Sequence, residues 1–527
     1  MKKVLLAMAL FMGTTPSYAA IYYVDYLAGS DSNSGTSNGT PLKRCPGDMN
    51  YTPTGSAPTS LLPGDTIIFK GGVKYVGNIR LLYDGSESGG YITYRGNTPM
   101  GDWGVGKAII SSTSGATFLT DQSGNTSYIK LLNLEITSSA ASGAAGITDN
   151  EETTYTKDHI IIQDCYIHDI PDYTDAGCNV NGKGIMFEKA NNITIDNNRM
   201  ERTGYYGIYF RGGNDSLVIS NNTMTDQILW GISFIQTNGN VSNVTISNNV
   251  LYDLNYVYDT GYSSCGGQYH SDWIYLLSVG QPNDFSNFYI YNNILYNTID
   301  FNEYGGTGMI FIAHQPGDTS VQFNNIRIYN NIIYNPHAQA IQPAGQGTYY
   351  IYNNTITIKE GLRALYSYAR TNSVPPIIEF RNNIVTKLNG YQAIELGRPS
   401  QGNDPPVLTA SNNLYNCVSS SPFLYNNIAK TWVQWQAIGY DNIGSLGPSI
   451  DPHFIQFGSF PYFASDDLHL RIDSPAKDAG WNASAYLNSD RDSVIRPQGT
   501  GWDLGAYEYN ESIFLKIPNP PSNLNVQ

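Results

Sequence analysis

Three groups of residues carry side chains whose types and spacing could move protons or hold a charged ligand. The first is His270-Ser271-Asp272-Trp273, with Tyr275 two residues further on. A histidine and a carboxylate two apart in extended chain share a face, so Asp272 could orient or tune the imidazole of His270. In a purely structural role, His270 would close its loop through a backbone hydrogen bond and Asp272 would satisfy nearby amides. The second group pairs Lys183 with Arg211, two cations suited to an anion, although Arg211 could instead form a surface ion pair with Glu188. The third is acidic: Asp300 and Glu303, with Tyr304 beside them and His314 downstream. Two carboxyl groups can act as acid and base on a glycosidic bond when their separation fits one of two geometries. Tyr209, Trp273 and Tyr304 would offer aromatic faces to sugar rings, and His314 a polar contact. Asp169, Asp172 and Asp175 supply oxygen ligands of the kind calcium takes, in a run without a defined calcium-loop pattern.

The elements that must position these groups are announced by a recurring phrase. A run alternating β-branched or aromatic residues ends in two asparagines, first at Asn197-Asn198, then at Asn221-Asn222 and Asn248-Asn249. It returns at Asn292, Asn330, Asn353, Asn382 and Asn412, each followed by a second asparagine, in steps of 24, 27, 44, 38, 23, 29 and 30 residues. A base period in the twenties with one unit per period is the mark of a solenoid, and period-two alternation makes that unit a strand. Asparagine suits the sharp turn because it tolerates left-handed backbone, and its amide can bond to its counterpart one coil away, about 4.8 Å off.

Each coil then carries a third strand opening on a Gly-Ile-like pair: Gly184–Glu188, Gly207–Arg211, Gly231–Ile235, Trp273–Leu277 and Met309–Ala313. Alternation points Ile208, Phe210, Ile274 and Leu276 inward and leaves Tyr209, Arg211, Trp273 and Tyr275 outside. The two long steps put extra residues just before third strands, the first as 253–269. Loops that lengthen on one face at neighbouring coils are how a solenoid builds a cleft.

Composition narrows the class. The 527 residues carry a formal charge of −15, which argues against nucleic acid as a partner. Forty-one tyrosines and 52 glycines with only 14% charged residues suit turn-rich β architecture. Residues 1–20 read as an export signal, and no later apolar run is long enough to span a bilayer, so a secreted, periplasmic or surface-held monomer is expected. Cys178 and Cys265 fall in insertions on the same side and could bridge, whereas Cys165 and Cys417 suit buried thiols.

Two stretches near the N-terminus carry a family resemblance. Pro63-Gly64-Asp65-Thr66-Ile67-Ile68-Phe69-Lys70-Gly71-Gly72 and Tyr91-Ile92-Thr93-Tyr94-Arg95-Gly96 resemble the opening segment of secreted right-handed parallel β-helix proteins of the pectate-lyase-like superfamily. Ser474-Pro475-Ala476-Lys477-Asp478-Ala479-Gly480 through Tyr507-Glu508-Tyr509 looks like the closing module common in bacterial β-helix proteins. The resemblance implies an all-β right-handed parallel β-helix, with a cap and first coils over 21–127, regular coils over 128–447, a closing module over 448–511 and a linker-like tail from 512. It also implies a polysaccharide lying along the third strands. In the lyases of that superfamily a Lys or Arg commonly abstracts a proton and a basic group or calcium neutralises a uronic carboxylate. A polysaccharide lyase or epimerase is therefore the first expectation, with His270 or Lys183 as base, Tyr275 returning the proton and Arg211 neutralising the substrate. A glycoside hydrolase using Asp272, Asp300 and Glu303 is the second, and a non-catalytic carbohydrate-binding surface protein the third.

Overall fold

In the computed structural model, three parallel sheets wind the chain into a solenoid. The structure describes residues 19–98, 101, 103–140, 143–151, 154–170, 182–227, 229–236, 238–254, 271–279, 283–298, 308–315, 320–336, 338–359, 362–370, 373–399, 403–458 and 466–511. Sheet I holds the 13 strands that precede the asparagine pairs, from Ile21–Val24 to Val407–Ser411. Sheet II holds 12 short strands that follow the pairs, from Lys74–Val76 to Leu414–Cys417. Sheet III holds 13 strands, the third strands from Ile79–Leu81 to Phe423–Tyr425 and, antiparallel to the last of them, Ile428–Lys430. Among the described residues the only α-helix is Trp432–Ala437, and no helix is long and apolar enough to cross a membrane.

The coils stack in register, so each inward position becomes a column. In sheet III, Ile147, Ile185, Ile208, Ile232, Ile274 and Ile310 pair in turn and are almost fully buried. Each such side chain contributes about 1.5–3 kcal/mol on burial. The resulting core runs unbroken from Val24 to Trp435.

The two asparagines of each pair divide the work. The first, from Asn197 to Asn412, takes left-handed backbone with φ between +52° and +58°. The second is buried and builds the ladder: Asn222 donates from Nδ2 to Asn249 Oδ1 at 3.0 Å and to the Ile195 carbonyl at 2.9 Å, while its backbone N–H reaches the same Oδ1 at 2.9 Å. This pattern passes through Asn293, Asn331, Asn354 and Asn383 to Asn413, whose Nδ2 donates to the Asp441 carboxylate at 2.9 Å. Asp441 also accepts from Tyr415 Oη, Trp435 Nε1 and Ser445 Oγ, which ends the stack.

A second left-handed column, in which Tyr128, His159 and Ser216 interrupt the asparagines, crosses the middle of the long strands of sheet I. It consists of Tyr128, His159, Asn192, Ser216, Asn243, Asn287 and Asn325, with φ between +52° and +57°. Tyr128 stacks on His159 at 4.4 Å, and Asn325 donates to Asn287, which donates to Asn243.

The C-terminal segment lies on the outer asparagines. Asn330 donates to the Ser489 carbonyl, Asn353 to that of Asp503, Asn382 to that of Trp481 and Asn412 to that of Ala479. Arg496 and Glu508 form a fully buried ion pair at 2.9 Å within this segment. Cys45, Cys165 and Cys417 are buried free thiols, with burial pushing Cys165 up to about 11 and Cys417 up to about 12. Cys178 and Cys265 lie outside the described residues, as do residues 1–18 and 512–527.

Candidate active site

The outer face of sheet III carries two columns set by the coil register. One runs Lys183, Tyr206, Trp230, Asp272 and Gly308; the other runs Met186, Tyr209, Ser233, Tyr275, Phe311 and Gln342. Their aromatic members pack on one another. Tyr206 stacks on Tyr209 at 4.2 Å, Trp230 on Tyr275 at 5.1 Å, and Tyr275 on Phe311 at 5.5 Å. Although they stand outside the core, Tyr209, Trp230, Tyr275 and Phe311 are each more than nine-tenths buried. Burial raises the Tyr275 phenol, and the Asp272 carboxylate adds to that.

At one end of these columns lies a cluster of charges. Lys183 Nζ stands 2.8 Å from Glu151 Oε1, and Arg211 Nη1 stands 2.9 Å from Glu151 Oε2. The Arg211 Nε faces Glu188 Oε1 at 3.6 Å, because Glu188 and Arg211 pair across adjacent coils. Beneath them, Lys157 and Asp149 form a buried pair at 3.1 Å, and Asp149 accepts the backbone N–H of Glu188. Glu188 is 3% exposed and its Oε2 has no hydrogen-bond partner among the described residues.

The two glutamates are driven in opposite directions. The hydrogen bond from Lys183, reinforced by Arg211, holds the Glu151 carboxyl below its ordinary range. Burial raises Glu188, and the charges of Asp149 and Glu151 add to the rise against the pull of Arg211. Two carboxyl groups held apart in this way, at one guanidinium, are equipped to divide acid and base roles.

The structure brings Lys183 and Arg211 together, and it is Glu151 rather than Glu188 that joins them most closely. Glu151, Asp149 and Lys157 were missed because the first two lie at a turn and the third opens a strand of sheet I, where no repeat marks them. Tyr209 and Tyr275 face outward, as alternation requires. Trp273 does not: it is fully buried in the main core, where the space above Gly231 receives its ring. In strands of sheet III the first, outward residue is followed by two consecutive inward ones, here Trp273 and Ile274, so counting back from Ile274 by strict alternation fails. For the same reason Asp272 is the outward first residue of the strand Asp272–Ser278, not the end of a loop, and it is 2% exposed. His314 is likewise corrected: it is fully buried, with Nδ1 at 2.9 Å from the Gln315 carbonyl, and presents no surface to a ligand. His270, Asp300, Glu303 and Tyr304 lie outside the described residues. Asp169 is engaged by His168 Nδ1 at 2.8 Å and Arg202 Nε at 2.6 Å, while Asp172 and Asp175 lie outside the described residues.

Residues 88–271 match the family described as the right handed beta helix region. Among solved structures, the chain is similar to XylC in complex with xylose, at 12% identity and a TM-score of 0.54, with 93% of this chain and 99% of that one covered. It is also similar to pectate lyase Pel9A, at 16% identity and a TM-score of 0.46 over 94% and 97% of the two chains. A third likeness is to the periplasmic alginate epimerase AlgG, at 14% identity and a TM-score of 0.37 over 69% and 74%. No curated protein matches the sequence. The chain is thus a right-handed parallel β-helix.

Proposed function

We propose that this chain is an exported enzyme that cleaves glycosidic bonds in a polysaccharide laid along the outer face of sheet III. The observation that carries this reading is the pair Glu151 and Glu188, displaced in opposite directions and touching one guanidinium. Glu188, whose buried setting favours its protonated form, would give a proton to the leaving oxygen as general acid. Glu151, whose ionised form Lys183 favours, would act as base toward water or as nucleophile, according to the separation the two adopt around a bound sugar. Arg211 would hold both in place. This order reverses the first expectation from sequence, since Lys183 and Arg211 both bond to a protein carboxylate.

A β-elimination reading is favoured by a different observation. Three cations, Lys157, Lys183 and Arg211, meet at this place beside Tyr209, which supplies the parts for abstracting a proton next to a uronic carboxylate. Calcium as a helper belongs to that reading. Assays with uronic and neutral polysaccharides, with and without chelator, separate the cases. Hydrolysis releases reducing ends without ultraviolet absorbance, elimination yields an absorbing unsaturated product, and a binding protein yields neither. Glu188→Gln and Glu151→Gln should each lower kcat by about 10²–10⁴-fold while the variant remains folded. Full activity in both would refute the assignment, and a comparable loss in Asp272→Asn alone would move the reacting centre to the strand Asp272–Ser278.

A further inference from the structure

At the far end of the same outer face stands a second charged cluster that the reacting pair does not use. Its centre is Tyr366, which pairs with Glu395 across adjacent coils. The guanidinium groups of Arg363 and Arg398 each lie 5.0 Å from the Tyr366 ring, and both contact the Glu395 carboxylate, Arg398 at 3.4 Å. A third, Arg370, lies 6.0 Å from Phe311, the last ring of the aromatic column. Two guanidinium groups thus share one carboxylate, and a third stands beside Phe311, in a chain whose formal charge is −15.

Unsatisfied donors and acceptors gather here as well. Tyr366 is 3% exposed, yet among the described residues its hydroxyl has no hydrogen-bond partner, and neither Arg370 Nε nor Gln339 Oε1 has one. A buried polar group without a partner is costly, and a cluster of them beside excess positive charge fits a place that a ligand completes. The stacking of Arg363 and Arg398 on Tyr366 fixes two planar forks, the geometry that matches a carboxylate or sulfate.

We propose that Arg363, Tyr366, Arg370 and Arg398 form a subsite for an anionic sugar residue of the polysaccharide. From the strand Tyr206–Arg211 to the strand Arg363–Ser367 the order of sheet III takes five steps, so the subsite lies about 24 Å along the axis from Arg211 at ~4.8 Å per coil. The aromatic column covers the first three of those steps. A short acidic fragment reaches only one of the two clusters, and a long one reaches both. The ligand class rests on the polysaccharide reading above, but the subsite does not depend on Glu151 or Glu188 reacting.

The test is calorimetric binding of oligogalacturonides and alginate oligosaccharides of three and eight sugars to the full chain, with xylo-oligosaccharides of equal length as neutral probes. At least one acidic octamer should bind more tightly than its trimer and than the neutral octamer, with affinity falling as sodium chloride rises. Arg398→Gln and Arg370→Gln should each weaken it about tenfold or more, the scale of a charge-assisted hydrogen bond, and Tyr366→Phe somewhat less. Thermal unfolding of each variant controls for the fold. Equal affinity for acidic and neutral octamers, absence of binding, or unchanged affinity in folded Arg398→Gln and Arg370→Gln overturns the subsite. If those arginine variants lose affinity while Glu188→Gln and Glu151→Gln retain turnover, the subsite stands and the reacting pair falls.

Discussion

Glu151 and Glu188 make a prediction that pH can test. The base form of Glu151 persists to a pH below the ordinary glutamate range, because Lys183 and Arg211 favour its charge. The acid form of Glu188 persists above that range, because burial disfavours its charge. Activity should therefore follow a bell, falling on the acid side as Glu151 takes a proton and on the alkaline side as Glu188 loses one. Glu188→Gln should abolish the alkaline limb in whatever turnover remains. A profile unchanged by that substitution would remove Glu188 from the acid role. Away from the site, His469 lies between Asp467 at 2.6 Å and Asp492 at 3.1 Å and stacks on Tyr507. Although burial opposes it, these partners raise its pKa from 6.5 to about 9. The charged His469 thus stabilises the fold fully below pH 6.5, while the two aspartates stay ionised, and the contribution fades as pH rises through about 9. Unfolding midpoints of the wild type and His469→Gln should differ most near pH 6 and converge by about pH 9.

At the scale of the element, adjacent asparagines should respond differently. Asn293→Ala removes an amide that donates to Asn331 and to the Ile246 carbonyl and accepts from Asn249, and should cost about 2–4 kcal/mol by chemical denaturation. Asn292→Ala removes mainly tolerance of φ +58° and should cost about 1–2 kcal/mol, with Asn292→Gly close to neutral. Equal losses at the two positions would contradict the division of labour. At Gly231, a β-carbon would sit 2.3 Å from Trp273 Cε3, so Gly231→Ala should destabilise by about 1–3 kcal/mol. These contrasts also show what could be read from the chain beforehand. The asparagine pairs made the coil legible because each repeat marks one turn. The second left-handed column stayed hidden because Tyr128, His159 and Ser216 break the series that Asn192, Asn243, Asn287 and Asn325 would otherwise mark. Lys183 and Arg211 were found because outward positions repeat with the coil, whereas Glu151 sits at an irregular turn. Trp273 was misplaced because the strand start breaks the period on which the reading depended.

For the whole molecule, the C-terminal segment joins far-separated coils to one another. Its contacts to Asn330, Asn353, Asn382 and Asn412 span the last third of the solenoid, and its own centre is the buried pair Arg496–Glu508. Removing one partner of such a pair costs about 3–5 kcal/mol, so Arg496→Met should lower the unfolding midpoint much more than Arg471→Met, whose side chain is over half exposed. Comparable shifts would deny the segment its stapling role.

The asparagine ladder has an electrical consequence. Every carboxamide from Asn198 to Asn413 points its N–H toward the next coil, so the small dipoles add head to tail instead of cancelling. The row behaves like a weak bar magnet of charge with its positive pole at Asn413, and the residue waiting at that pole is the carboxylate of Asp441. Its other oxygen accepts from Trp435 Nε1, so an amide in its place would turn its hydrogens toward either Asn413 or the indole N–H, and the donors on both sides are the reason for an acid at that one position.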